Sequence, residues 1–349
     1  MKRVGNIFVN IYEYENVRQA IMKASLGKRD KLYVKVVLDD IENYIKKIQL
    51  MLKTKTYSPS PYTIKNIIDG SSGKERTIYM PRFYPDQIIH WALMLQIQSI
   101  IMRGMYKYNC GSVPGRGTSF GQKSLRKWLD SDRKNTKYCL KLDVKKFYPS
   151  INNECLKSMF RKVMKDLDCL NLIDLVIDSN QGLPIGNYTS QWFANFYLQS
   201  LDHFIKEKLK IKYYIRYVDD LVLLGSNKRK LHRDRQMIKE FVSELSLEIK
   251  ENWQVFKVKN RPIDFLGFKF YQNKTTLRKR NALRIRRRIS KINKKPHLNY
   301  RDACAVISYW GWVKRSDSYN FYHKYISPKI SLAKARKVVS EYAKRNPGI

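Results

Sequence analysis

Acidic residues are scarce in this chain: 30 Asp and Glu stand against 69 Lys and Arg, leaving a formal net charge of +39 over 349 residues. That excess goes far beyond what solubility needs and implies a polyanionic partner. The basic residues run along the whole chain instead of clustering beside an apolar segment, so nucleic acid fits better than a membrane surface. Cysteine is scarce too. Cys110, Cys139, Cys155, Cys169 and Cys304 include no C-x-x-C pair, which argues against a zinc site or a disulfide framework and points to a reducing compartment. Long hydrophobic runs are missing: the most apolar stretch, Trp91 to Met102, is broken by Gln96 and Gln98 and is too short to span a bilayer. The start, Met1-Lys2-Arg3-Val4-Gly5-Asn6, has no apolar signal-peptide region behind it, so a cytoplasmic protein with no membrane partner is expected. No internal repeat or low-complexity linker interrupts the chain, and none of the five His falls in a motif.

What is present is a folding sequence, 43% hydrophobic and long enough for two or three compact units. The 24 Tyr matter beside so many Lys and Arg, because single-stranded bases stack on aromatic faces between cations; packing accounts for most of them. Residues 1–56 carry apolar positions near a 3.6 period and read as helical, interrupted by the basic break Lys23 to Lys31. Tyr62 to Ile68 and Arg76 to Met80 then read as a hairpin around Asp69-Gly70-Ser71-Ser72-Gly73. Residues 151–180 read as helical, and Gln181 to Leu198 start as a Gly-rich loop that runs into a long apolar helix.

The centre of the chain is Tyr213 to Leu224, two apolar strands joined by a turn that carries Asp219 and Asp220. Adjacent carboxylates at the tip of an apolar hairpin repel each other, so a divalent cation is the natural occupant. A solvated turn explains the pair taken alone, because Asp favours turns for conformational reasons. A second strand, Tyr138 to Asp143, also ends in an acid among apolar neighbours. If the two strands lie side by side, Asp143, Asp219 and Asp220 converge on the geometry that holds two Mg²⁺ ions for in-line displacement at phosphorus.

At these residues the chain resembles reverse transcriptases. Leu142-Asp143-Val144-Lys145-Lys146-Phe147-Tyr148-Pro149-Ser150-Ile151 is similar to their motif A, and Tyr217-Val218-Asp219-Asp220 to their motif C. Gly182-Leu183-Pro184-Ile185-Gly186-Asn187-Tyr188-Thr189-Ser190-Gln191 matches motif B. It has Ile185 where most members carry Gln and Gln191 where most carry Pro, a form that resembles the enzymes of diversity-generating retroelements. Phe265-Leu266-Gly267 matches motif E, the primer grip, and Pro114-Gly115-Arg116 resembles an element of motif 2.

The resemblance implies an α/β (α+β) right-hand polymerase with fingers, an antiparallel palm sheet and a helical thumb. The expected boundaries are an N-terminal helical extension at 1–56, fingers at 57–137, palm at 138–272 with part of the fingers at 151–180, and a basic helical thumb at 273–349. It implies RNA-directed DNA synthesis with two Mg²⁺ ions, or Mn²⁺ in their place, held by Asp143, Val144, Asp219 and Asp220. Arg76, Lys74, Tyr148, Ile185, Gly186 and Gln191 are the expected contacts of the incoming dNTP. Arg116, Phe265, Leu266, Gly267, Arg284, Arg286, Arg287 and Arg288 are the expected contacts of template RNA, primer and cDNA; few acids balance the basic run at 274–295, which favours phosphate contact over a merely solvated helix face. A small basic accessory protein and a prokaryotic or phage origin go with the retroelement type. A retron or phage-defence reverse transcriptase and a non-catalytic RNA-binding scaffold remain as alternatives.

Overall fold

The computed structural model describes residues 2–68, 73 and 75–345. Four helices open the chain: α1 (Phe8–Ile11), α2 (Tyr14–Ser25), α3 (Leu32–Asp39) and α4 (Ile41–Lys53). Strands β1 (Thr63–Ile68) and β2 (Glu75–Met80) pair antiparallel, with Thr63 facing Met80 and Ile68 facing Glu75. A kinked segment at Phe83–Gln87, with Tyr84 in extended backbone, leads into α5 (Ile88–Met102), and α6 (Thr118–Ser131) precedes β3 (Tyr138–Asp143). Next come α7 (Phe147–Ser150), α8 (Asn153–Val163), α9 (Leu167–Asp178), α10 (Tyr188–Tyr197) and α11 (Gln199–His203). The hairpin β4 (Tyr213–Tyr217) and β5 (Asp220–Gly225) is followed by α12 (Lys228–Glu244) and β6 (Gln254–Lys257). The three short strands β7 (Ile263–Phe265), β8 (Phe268–Phe270) and β9 (Thr275–Leu277) lead to α13 (Lys279–Asn293), α14 (Tyr300–Val313), α15 (Tyr319–Tyr325) and α16 (Leu332–Arg345).

Side-chain caps set several helix starts. Asn152, Asp166, Asn227 and Asn299 each accept the amide of the residue three further on, satisfying one of the donors that a helix start leaves free. Asp166 also takes the amides of Ile7 and Phe8 at 2.5 and 2.9 Å, which ties the N-terminal segment to the start of α9.

The central sheet has the order β4-β5-β3-β6, with every pair antiparallel. Its two faces serve two cores. Leu140, Leu142, Leu221 and Leu223 point into a core shared with Ile238 and Val242 of α12 and with helices α2, α4, α5 and α10. Cys139, Ile215, Val222 and Leu224 point the other way, into a core with Phe265, Phe268 and Phe270 of the small sheet and Ile285 and Ile289 of α13. Burial on both faces explains why β5 reads as an unbroken apolar run where a one-sided strand would alternate. Helices α1–α4 share the core of the central sheet, and β7–β9 pack between that sheet and the helices that follow them.

Candidate active site

Only Val218 and Asp219 separate β4 from β5. A two-residue hairpin loop calls for left-handed backbone, and Val218 takes φ +56°. A β-branched residue enters that region only where its surroundings hold it. Backbone from the loop before α6 packs directly on the turn: a Cβ on Gly111 would stand 2.6 Å from the Val218 amide nitrogen. On the other side the Asp219 carbonyl accepts the Val144 amide at 3.1 Å. The strand register sets Asp143 directly opposite Asp220, on the face that carries Val222 and Cys139, with Asp219 on the turn at the same end of the sheet.

Burial is the main influence on the carboxyl of Asp219 and raises it, with the charge of Asp143 adding to the effect. Asp220 is pushed up to about 7, by burial first; the cation of Lys141 works against the shift, while Asp143 and Asp219 work for it. Lys141 Nζ lies 3.4 Å from Asp220 Oδ2, and Lys250 Nζ pairs with Asp143 Oδ1. A quarter of the Asp220 side chain reaches the surface, yet its Oδ1 is buried without a hydrogen-bond partner. No three His, Cys, Asp or Glu among the described residues are grouped tightly enough to hold one ion. The expected convergence is thus a facing pair, Asp143 and Asp220, with Asp219 on the turn beside it.

These residues fit a divalent ion. Carboxylate oxygens are hard donors suited to Mg²⁺, one of them is orphaned, and ionising the group is opposed until positive charge arrives. Val144 fits as well. It bridges Ile249 while its neighbours make the ladder bonds, Lys145 N to Glu248 O at 2.7 Å and Lys250 N to Asp143 O at 2.8 Å. In an antiparallel bridge of that kind the central residue turns both amide and carbonyl away from its partner strand, here toward Asp219.

Of the three acids, Asp219 faces a cleft of about 1970 Å³, which Arg76, Tyr148, Ile185, Gly186 and Gln191 also help to line, while Asp143 lines a neighbouring cavity with Lys141 and Asp264. Arg76 stands on β2, and its charge favours the ionised forms of both Asp219 and Tyr148. The Tyr148 hydroxyl is nevertheless pushed up to about 12, by burial first and then by Asp219. Lys74 and the turn at 69–72 lie outside the described residues. The 182–187 loop is clamped between neighbours. Tyr79 N donates to Ile185 O at 2.8 Å, and Gly186, at φ +139°, leaves no room for a Cβ, which would fall 2.0 Å from the Tyr79 carbonyl oxygen. Leu183 N donates to Tyr148 O at 2.9 Å, joining this loop to the segment after β3. Lys23 and Tyr33 of the N-terminal helices, with Lys28 of the turn between α2 and α3, form a further wall.

The model of the family described as reverse transcriptase (RNA-dependent DNA polymerase) matches residues 68–270, from the second half of the β1–β2 hairpin to the end of β8. The chain belongs to the reverse transcriptase family. It is 27% identical over 215 residues to the retron Ec73 reverse transcriptase of Escherichia coli, covering 58% of this chain and 65% of that protein. Against the group II intron-encoded protein LtrA of Lactococcus lactis subsp. cremoris it is 26% identical over 231 residues, covering 61% of this chain and 37% of that protein. The chain thus matches under two thirds of the length of either relative. Among solved structures, apo telomerase from Candida tropicalis superposes with a TM-score of 0.50 at 14% identity, over 82% of this chain and 57% of that one. Telomerase from Candida albicans, in complex with a fragment of telomeric RNA, gives 0.50 at 11% identity over 84% and 60%. At such identities the likeness is one of fold, the mixed α/β polymerase hand.

The remaining expected contacts of this reverse transcriptase family member differ in exposure. Phe265 is completely buried, because a strand covered on that face sends its alternate residues inward, and Leu266, in the turn that follows, is nearly so. Gly267 forms the left-handed turn with Leu266 and lies against the Trp312 ring. Arg116 turns one Nη inward, 3.2 Å from the Tyr106 carbonyl. Arg288 is committed to the buried carboxylate of Asp302 at 2.5 Å, whereas Arg284, Arg286 and Arg287 are exposed on α13. Two site residues were missed. Lys141 had a signal, since it is two residues before Asp143 on one strand and therefore on the same face. Lys250 had none, because it reaches Asp143 through a bridge between segments far apart in sequence.

Proposed function

We propose that the chain is an RNA-directed DNA polymerase, and that it serves a diversity-generating retroelement. The observation behind the first step is the facing of Asp143 and Asp220 beside the turn whose Asp219 lines the cleft. On this reading Asp143, Asp219, Asp220 and the Val144 carbonyl hold Mg²⁺, with Mn²⁺ as a substitute. Bound there, divalent ions ease deprotonation of the primer 3′ hydroxyl and stabilise charge on the departing pyrophosphate. Arg76 and Lys74 meet the triphosphate of the dNTP with fixed positive charge, so no nucleophilic side chain is needed. Tyr148 lies under the sugar and bars a 2′-hydroxyl. The exposed Arg284, Arg286 and Arg287 follow the backbone of template and cDNA.

The retroelement step rests on Ile185 and Gln191, both at the cleft wall. A Gln at 185 would hydrogen-bond around the nascent pair and hold it rigidly; an apolar Ile does not, so mispairs are rejected less strongly. A small basic accessory protein belongs to this reading. A retron or phage-defence role is the second reading, favoured by the similarity to the retron enzyme of Escherichia coli. A scaffold without catalysis would be expected to have lost metal-binding acids, and all three are present.

Sequencing cDNA copied from one RNA by the wild type and by Ile185→Gln tests the proposal. The retroelement reading expects frequent errors at template adenines that fall about tenfold in the variant, a change of about 1.4 kcal/mol, which one hydrogen bond can supply. Low and equal error rates would leave the retron reading, and no cDNA at all would remove the polymerase. In the same reactions Tyr148→Ala should incorporate ribonucleotides; unchanged sugar discrimination would make Tyr148 a packing residue.

A further inference from the structure

Beneath the catalytic turn lies a buried polar network. Arg216 is completely buried and Asp202 is 1% exposed. The guanidinium donates twice to that carboxylate, from Nε to Oδ1 at 2.8 Å and from Nη2 to Oδ2 at 2.6 Å, and the Tyr214 hydroxyl adds a third bond to Oδ1 at 2.7 Å. The remaining nitrogen faces the other way: Nη1 donates to the Val218 carbonyl at 2.9 Å and to Asn195 Oδ1 at 3.3 Å. Asn195 in turn donates to Gly111 O at 2.6 Å and accepts from Asn109 at 3.0 Å. Gly111 is the residue whose backbone presses on Val218.

A buried ion pair of this kind stabilises little relative to well-packed apolar residues of similar volume, so stability alone does not account for it. A Val in left-handed backbone, by contrast, costs energy that neighbours must offset. We propose that Arg216, oriented by Asp202, is a positioning residue for the catalytic turn: its Nη1 fixes the Val218 carbonyl, keeps Val218 left-handed and so aims Asp219. The planar fork is what permits this, since a guanidinium grips a carboxylate with one edge and reaches a carbonyl with another nitrogen. The Val144 amide on the Asp219 carbonyl clamps the same turn from the β3 side.

The inference rests on the polymerase reading, and the test separates the two. Arg216→Lys keeps a buried cation opposite Asp202 but loses the fork. Measured well below its melting temperature, it should show kcat for primer extension reduced by about 10²-fold, the scale of an ångström-sized misplacement, with KM for dNTP unchanged. Hydrogen exchange in the 213–224 peptide should accelerate at the turn whether or not the chain polymerises. Adding Val218→Gly, which takes positive φ without strain, should recover at least half of the lost rate on a logarithmic scale. If Arg216→Lys does not fold, Asp202→Leu with Arg216→Met replaces the charged pair with apolar side chains, and the same three readouts apply. Unchanged kcat and unchanged exchange at the turn would overturn the positioning role while leaving the polymerase intact, as would a rate loss that Val218→Gly does not relieve. A wild type that makes no DNA would overturn the polymerase reading, and accelerated exchange in Arg216→Lys would still support the hold on the turn.

Discussion

Asp202 and Asp220 lie on opposite sides of one turn and are treated in opposite ways. Both oxygens of Asp202 are engaged, by two guanidinium bonds and a tyrosine hydroxyl. Asp220 has a buried oxygen with no partner, a cation 3.4 Å from the other, and a carboxyl pushed up to about 7. The first arrangement spends its charge on geometry. The second leaves charge uncompensated, which is the condition of a site that awaits a ligand.

Neutralising each acid should therefore move stability in opposite directions. Asp202→Asn leaves the Arg216 charge buried without its counter-ion and should cost about 3–5 kcal/mol, read by urea denaturation; a loss near zero would show that the network is not a tight pair. Asp220→Asn should instead stabilise the chain at pH 8 without divalent ions, by about 1 kcal/mol or more. The sign follows from linkage. The value of Asp220 is higher folded than unfolded, so the folded chain keeps an extra proton. That contribution is complete below the ordinary carboxylate range and is lost as pH rises to about 7. Destabilisation by Asp220→Asn under these conditions would mean that this carboxylate is satisfied after all.

The same contrast recurs, more weakly, along α13. Arg286 and Arg287 are exposed while Arg288 holds Asp302. Arg286→Ala with Arg287→Ala should lower the log–log salt slope of RNA binding by about 0.7–0.9 for each phosphate no longer neutralised and leave stability alone. Arg288→Ala should leave the slope alone and cost about 1 kcal/mol of stability, because Lys295 still pairs with Asp302. Equal effects of both changes on the slope would erase the distinction between the two kinds of arginine.

The acidic hairpin and its partner strand were legible in the sequence because their signals are local: apolar runs, a short turn, an acid at a strand end. The pairing that sets Asp143 against Asp220 follows once the strands are adjacent. The burial of Phe265 was not legible, because a motif position says nothing about which face of a three-residue strand is covered. Nor was the pairing of Arg288, because its partner, Asp302, lies on the next helix and a run of arginines looks uniform in sequence. The Arg216–Asp202 network escaped notice for a related reason. Burial turns an ordinary Arg and an ordinary Asp into a unit, and nothing local in the sequence marks that these residues of β4 and α11 are buried together.

Primer extension on an RNA template by Asp219→Asn, with RNA binding measured in parallel, is the most direct test of the claim that these acids run a polymerase. DNA synthesis with Mg²⁺ should fall by about 10³-fold or more, since the loss of an ion-binding carboxylate removes several kcal/mol of transition-state stabilisation, while RNA affinity stays within about twofold because the many phosphate contacts remain. DNA synthesis at the wild-type rate in Asp219→Asn would contradict that claim.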